Sequence, residues 1–340
     1  MSPETIAASL VARGLDAREQ NAKARLIARA AAACAEPQRI WWVPGRLEIF
    51  GKHTDYGGGR TLVAAVPRGF IVAARARADS VVHAIDAVDG ETSTIAIHES
   101  SPPTSGWRQY VATAVNRLAR NFPEAPLGAD VAFASDLPRA SGMSSSSALV
   151  VAVAQALVEL SGIEHSPTWR AHVATLLDKA SYFACIENGS RFGSLAGDAG
   201  VGTHGGSEDH AAMFDARAGQ VSAFGFVPPR ALGRATMPRA WTFVVAASGV
   251  AAEKTGAARH KYNRLADGAR ALLDVWNGAE PAARSLAAAL ASAPDAADRL
   301  RSDLRRSSVR GWTWADLERR LDHFVREDAR VEAALAAFAA

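Results

Sequence analysis

The apolar positions change period several times along the chain. Residues 16–36 are rich in Ala, Leu and Arg and read as a helix. RIWWVPGRLEIFG (39–51) is β-prone on both sides of Pro44-Gly45, which reads as a turn between two strands. Further β-like runs follow at 61–66 (TLVAAV), 70–76 (FIVAARA), 81–87 (VVHAIDA) and 93–99 (STIAIHE). A helix is expected over 107–121, a strand in GADVAFASDLP (128–138), and helices over 143–161 and 167–188. The stretch 188–210 is Gly-rich, which suits a backbone that must approach something closely. Strands return at 221–226 (VSAFGF) and 241–248 (WTFVVAAS), and from 255 onward the pattern is helical and Ala-rich. No fixed-period repeat is visible. A mixed first half and a helical second half predict an α+β architecture of two domains, with the boundary near 212–220.

Composition narrows the class. The 340 residues are 49% hydrophobic, ample for a packed core, and the net charge is only +3 without a dense basic block. Nothing in this balance calls for nucleic acid, although a local anion site is compatible. The two cysteines, Cys34 and Cys185, lack metal-like spacing, which points to a reducing compartment. No signal peptide is read at the N-terminus, and Gln155 and Glu159 interrupt the best apolar run, so no membrane span is expected. The expectation is a cytoplasmic protein.

Two segments carry candidate chemistry. Ser144 to Ser147 run directly into ALVVAVAQAL (148–157), a helix apolar on nearly all sides and hence buried. A helix N-terminus offers free N–H groups and the positive end of the helix dipole, so it is a ready anion site. Gly142 lets the preceding LPRASGM turn inward, and serine hydroxyls add donors or a ligand for Mg²⁺. The plainer reading is a Ser-rich cap on a buried helix. The Walker A pattern is absent from the sequence. The second segment, VPGRLEIFGKHTDYGGG (43–59), crowds Arg46, Glu48, Lys52, His53, Asp55 and Tyr56 beside five glycines. Carboxylate and imidazole groups on a close-approaching backbone suit adjacent sugar hydroxyls. The plainer reading is an exposed polar connection.

Arg46 with GKHTDYGGG resembles the galactokinase signature, and the serine run with Ser141 and Gly142 resembles the second motif of the same family, P-x-G-x-G-L-S-S-S-A. Both belong to the GHMP kinase superfamily. The resemblance implies a two-domain α+β fold, here residues 1–214 and 215–340. It also implies ATP and Mg²⁺ as cofactors and a small sugar as substrate. It carries a role to each matching position: phosphate binding to Ser141, Gly142 and Ser144 to Ser147; metal binding to Ser145 (or Ser146) and Glu187; catalysis to Asp209 in GGSEDH (205–210), assisted by Arg46; and substrate binding to Lys52, His53, Asp55, Gly206 and, through SGV (248–250) and KYN (261–263), Tyr262. Departures stand beside the matches. Lys52 replaces a glutamate, Glu48 an asparagine, His210 a glutamine and Ala140 a glycine. The family's third, glycine-rich motif is missing, so the resemblance implies an incomplete C-terminal domain. The implied reaction is phosphorylation of galactose. The alternatives are another sugar, such as a uronic acid read by Lys52, or a non-catalytic sugar-binding relative; the plainer reading of Lys52 is a pair with a nearby acid such as Glu48.

Overall fold

The computed structural model describes residues 2–97, 105–138, 142–238, 240–246 and 257–340. Two helices lead the chain, α1 (Pro3–Ala12) and α2 (Gln20–Cys34). Strands β1 (Arg39–Phe50), β2 (Arg60–Ala76), β3 (Val81–Asp86) and β4 (Thr92–Ala96) follow. Next come α3 (Trp107–Asn121), β5 (Ala129–Ser135), α4 (Ser145–Leu160), α5 (Pro167–His172), α6 (Leu176–Asn188) and α7 (Glu208–Asp215). Strands β6 (Gln220–Gly225) and β7 (Arg230–Thr236) precede the helices α8 (Ala257–Ala279), α9 (Leu286–Leu290), α10 (Ala296–Arg306) and α11 (Trp314–Ala339).

All seven strands form one sheet, ordered β4-β3-β5-β2-β6-β7 with β1 beside β2. Strand β2 is long enough to pair with β1 along one edge and with β5 and then β6 along the other. Strands β3 and β5 run parallel, and the other pairings are antiparallel. The apolar run Phe70–Ala74 is continuous because both faces are covered. Phe70, Val72 and Ala74 join the core under α3, α4 and α6, whereas Ile71 and Ala73 face α1 and α2, alternating as pleated side chains must. Strand β5 divides the same way, with Val131 and Phe133 on one face and Ala132 and Ala134 on the other.

The C-terminal helices build a separate core from Leu272, Trp276, Leu286, Leu300, Leu304, Leu317, Leu321 and Phe324. Further along α11, Val331 joins Leu62, Ala64, Val221, Ala223 and Ala235 on the sheet. One helix therefore belongs to both parts of the molecule. The expected boundary at 214/215 falls in the last turn of α7, and β6, which lies beyond it, pairs with β2 of the first part.

Several local expectations are corrected. Pro44-Gly45 is no turn: β1 runs through it, with a register irregularity between Pro44 and Arg46. The bulge accommodates the proline, which has no N–H to give to the ladder. The runs at 61–66 and 70–76 are one strand, β2. The helix expected over 167–188 is two, divided where Thr175 caps α6 with a reciprocal bond to Asp178. The strand expected over 241–248 is not formed within 241–246, where Trp241, Phe243, Val244 and Val245 are exposed. Its last two residues, like Ser141, Ala140 and SGV at 248–250, lie outside the described residues.

Candidate active site

Arg46 organises the site. Strand β1 aims it at the start of α7, and its side chain is buried. Its Nη2 lies 2.5 Å from Asp209 Oδ1 and its Nε 2.9 Å from Glu208 Oε1, with Glu48 Oε2 at 3.9 Å. The Glu208 contact is an ion contact rather than a hydrogen bond, since Arg46 Nε and Glu208 Oε1 both fail the bonding geometry. Nη1 donates to the carbonyl of Gly142 at 2.8 Å, tying the arginine to the loop ahead of α4. Burial disfavours its charge, but Asp209, Glu208 and Glu48 outweigh that and hold the guanidinium above its ordinary pKa. Burial pushes Glu208 well above the usual carboxylate range; Arg46 opposes the shift, while Glu48, Asp209 and Asp55 add to it.

The four serines divide by position. Ser144 takes a left-handed backbone conformation (φ 57°) and makes no side-chain cap. Ser147, buried on the first turn, donates to Asp209 Oδ2 at 3.0 Å. Ser145 and Ser146, between them, are partly exposed at the helix N-terminus. The run thus supplies one serine to fix the aspartate and two at the open end of the helix, where an anion would be favoured.

Asp55 is buried on the opposite wall. Its Oδ1 accepts from the Tyr56 N–H at 3.0 Å and its Oδ2 from the Glu208 N–H at 3.2 Å. A Cβ at Gly206 would sit 2.0 Å from Asp55 Oδ2, so no side chain larger than hydrogen fits there. Asn188, at the end of α6, donates to the Gly205 carbonyl at 2.8 Å and holds the Gly-rich loop in place. His53 stacks on Tyr56, bonds its hydroxyl at 2.9 Å, and meets Tyr262 of α8 edge-on at 5.3 Å between centroids. Glu187, on the last turn of α6, faces His210 at 3.3 Å.

Arg46, His53, Asp55, Ser147, Glu187, Gly206, Asp209 and Tyr262 all line one cavity of about 40 Å³. Small-molecule pockets usually start near 300 Å³, so the cavity is small beside a typical ligand site. Lys52 does not line it. Its Nζ pairs with Glu48 at 3.0 Å and is largely exposed. Burial opposes its charge, but Glu48 wins and holds Lys52 above its ordinary pKa. Glu208 was not singled out for the site from sequence, and Glu48 was counted in its polar segment without a role there. Glu208 had a signal, as the acid next to Asp209 on the first turn of a helix; Glu48 had one as the i−4 neighbour of Lys52.

Comparison with known proteins places similar sequences over the segments that carry these residues. Residues 31–76 match the galactokinase galactose-binding signature, and residues 109–186 match the GHMP kinases N terminal domain. A galactokinase from Glaesserella parasuis serovar 5 (strain SH0165) is 31% identical over 188 residues, 54% of this chain and 46% of the relative. One from Roseiflexus sp. (strain RS-1) is 38% identical over 118 residues, 35% of this chain and 30% of the relative. The matched stretches therefore span less than half the length of these relatives. The crystal structure of Lactococcus lactis galactokinase complexed with galactose superposes with a TM-score of 0.65 at 19% identity, covering 92% of this chain and 74% of that one. The chain carries the GHMP kinase fold and its N-terminal domain. Its sugar-binding segment and these curated relatives make the chain similar to galactokinases over part of its length.

Proposed function

We propose that this protein phosphorylates galactose from ATP, giving galactose 1-phosphate. The observation that carries the reading is the junction of Asp209 with both Arg46 and Ser147, which joins the sugar signature to the serine-led helix in one cavity. Asp209 orients the anomeric hydroxyl and takes its proton as the oxygen attacks the γ-phosphorus and ADP departs. Arg46 and Ser147 hold the Asp209 carboxylate in one position. That suits phosphoryl transfer, in which positioning and charge neutralisation do most of the work. Arg46 offsets charge on the transferring group, Asp55 and His53 hold sugar hydroxyls, and Tyr262 closes the wall.

Mg²⁺ fits the donor chemistry here. The hydroxyl of Ser145 or Ser146 and the carboxylate of Glu187 are hard oxygen ligands, and this metal characteristically combines one or two carboxylates with substrate phosphates. When bound, it would neutralise phosphate charge. No group of three or more His, Cys, Asp or Glu side chains among the described residues could hold a metal, consistent with a site completed by the nucleotide. The uronic-acid alternative loses its motive, since Glu48 already answers the charge of Lys52. Free Cys34 and Cys185 suit a reducing, cytoplasmic setting, and no described helix is long and apolar enough to cross a membrane.

The test is ATP turnover across a panel of aldoses and uronic acids. Galactose should give the highest kcat/KM. Asp209→Asn should lower kcat by at least about 100-fold while galactose binding stays within about tenfold, because the amide keeps the shape and cannot accept the proton. Turnover near wild type in that variant removes Asp209 from its role.

A further inference from the structure

A second concavity, about 480 Å³, lies between α8 and α11 on the far side of His53, a residue that lines both cavities. Helical spacing builds it. Lys261 and Arg264 stand one turn apart on α8, while Asp316, Arg319, Arg320 and His323 stand at successive turns of α11. Four permanent cations thus meet one carboxylate. Asp316 is shared, at 2.5 Å from Arg319 and 3.7 Å from Arg264. The Arg264 guanidinium carbon stands over the Trp312 ring, 4.0 Å from its centroid, and Leu265 adds apolar surface.

Arg320 is the telling residue. Its side chain is buried, with 7% of the residue exposed, and its Nη2 donates to the His53 carbonyl at 2.5 Å. Its Nε is buried with no hydrogen-bond partner, and among the described residues no carboxylate pairs with it. Burial pulls its pKa below the ordinary arginine value, although Tyr56 and Asp55 act to raise it. A buried charge is costly unless an opposite charge meets it. A guanidinium fork matches a phosphate geometrically, and a ring under a second guanidinium offers a flat apolar seat.

We propose that this pocket is a binding site for a phosphomonoester with a compact flat or apolar body, its phosphate on Arg320 and the surrounding cations and its body on Trp312 and Leu265. Its volume lies in the range of small-molecule sites. It is separate from the serine-led helix, and the proposal stands whether or not the sugar reading does.

The experiment is calorimetric titration of the full chain with phenyl phosphate and, separately, inorganic phosphate, at constant ionic strength. The proteins are wild type, Arg264→Glu/Arg319→Glu and Arg320→Met. The paired variant changes largely exposed side chains, so it tests the site even where Arg320→Met fails to fold. Phenyl phosphate should bind wild type at least about tenfold more tightly than either variant and more tightly than inorganic phosphate, with quenching of tryptophan fluorescence. Equal affinity in wild type and the paired variant would place the anion elsewhere, for instance at α4, and overturn the proposal. Equal affinity for the two probes overturns the flat or apolar body, and the absence of binding by phenyl phosphate overturns the site.

Discussion

Asp55 accepts two backbone N–H groups, yet its carboxyl is pushed up to about 7 because burial dominates and the charges of Asp209 and Glu48 add to it. The ordinary value of 3.8 applies in the unfolded chain, so the folded state binds the extra proton between about pH 4 and 7. The stability contributed by the protonated form is complete below pH 3.8 and is lost as pH rises through about 7, by about 1.4 kcal/mol for each pH unit between those two values. Asp55→Asn keeps a neutral group of the same shape and removes this loss. Urea unfolding at pH 5 and pH 8 should therefore show the variant gaining on wild type at the higher pH. A gap that does not change with pH contradicts the buried, proton-holding Asp55. The same residue scale shows what sequence can reveal. Arg46, Asp55 and Asp209 were visible because their neighbours form recognisable motifs. The pairing of Lys52 with Glu48 was open to sequence only as one of two alternatives, because a charge says nothing about whether its partner is substrate or protein.

At the scale of elements, α11 clamps the loop that carries the sugar signature. Glu327 Oε2 accepts the N–H of Gly51 at 3.1 Å and of Lys52 at 3.3 Å; Asp328 accepts from the Arg60 N–H at 2.7 Å, and His323 Nε2 donates to the Lys52 carbonyl at 2.8 Å. Burial alone would raise the Glu327 pKa, but those two N–H groups and Arg330 hold it below the ordinary value. Glu327→Ala leaves two loop amides without their charged acceptor, worth about 1.5–3 kcal/mol each for well-formed bonds. Amide hydrogen exchange at Gly51 and Lys52 should then accelerate by at least about tenfold, with α3 and α4 unchanged. Unaltered exchange at both amides contradicts the clamp. None of this was legible beforehand. Periodicity located the loop and the helix separately, but a bond between residues more than 270 positions apart leaves no local pattern. The strand β1 was misread for a related reason: Pro44-Gly45 signals a turn locally, and only the pairing with β2 converts it to a bulge.

Across the whole molecule, the two cores meet at a glycine triplet. A Cβ at Gly57 would lie 2.7 Å from the Phe324 ring, one at Gly59 2.9 Å from the same ring, and one at Gly58 2.7 Å from Ser285. The repeated glycine, which in sequence suggested a backbone approaching a ligand closely, permits close approach by the C-terminal helices. Phe324 belongs to their core and presses on the loop that leads from Asp55 into β2. Phe324→Ala should cost about 3–5 kcal/mol of stability through cavity formation. Because the vacated space lies directly under the signature loop, galactose affinity should fall as well. Leu300→Ala separates the two effects. Leu300 is fully buried in the same helical core, so its loss should cost about 2–5 kcal/mol. It supplies none of the three nearest atoms that a Cβ would meet at any of the three glycines, so sugar affinity in the folded variant should stay near wild type. Equal losses of affinity in the two variants, measured by galactose titration where both remain folded, would mean that sugar binding follows general stability rather than the seat that Phe324 gives the loop.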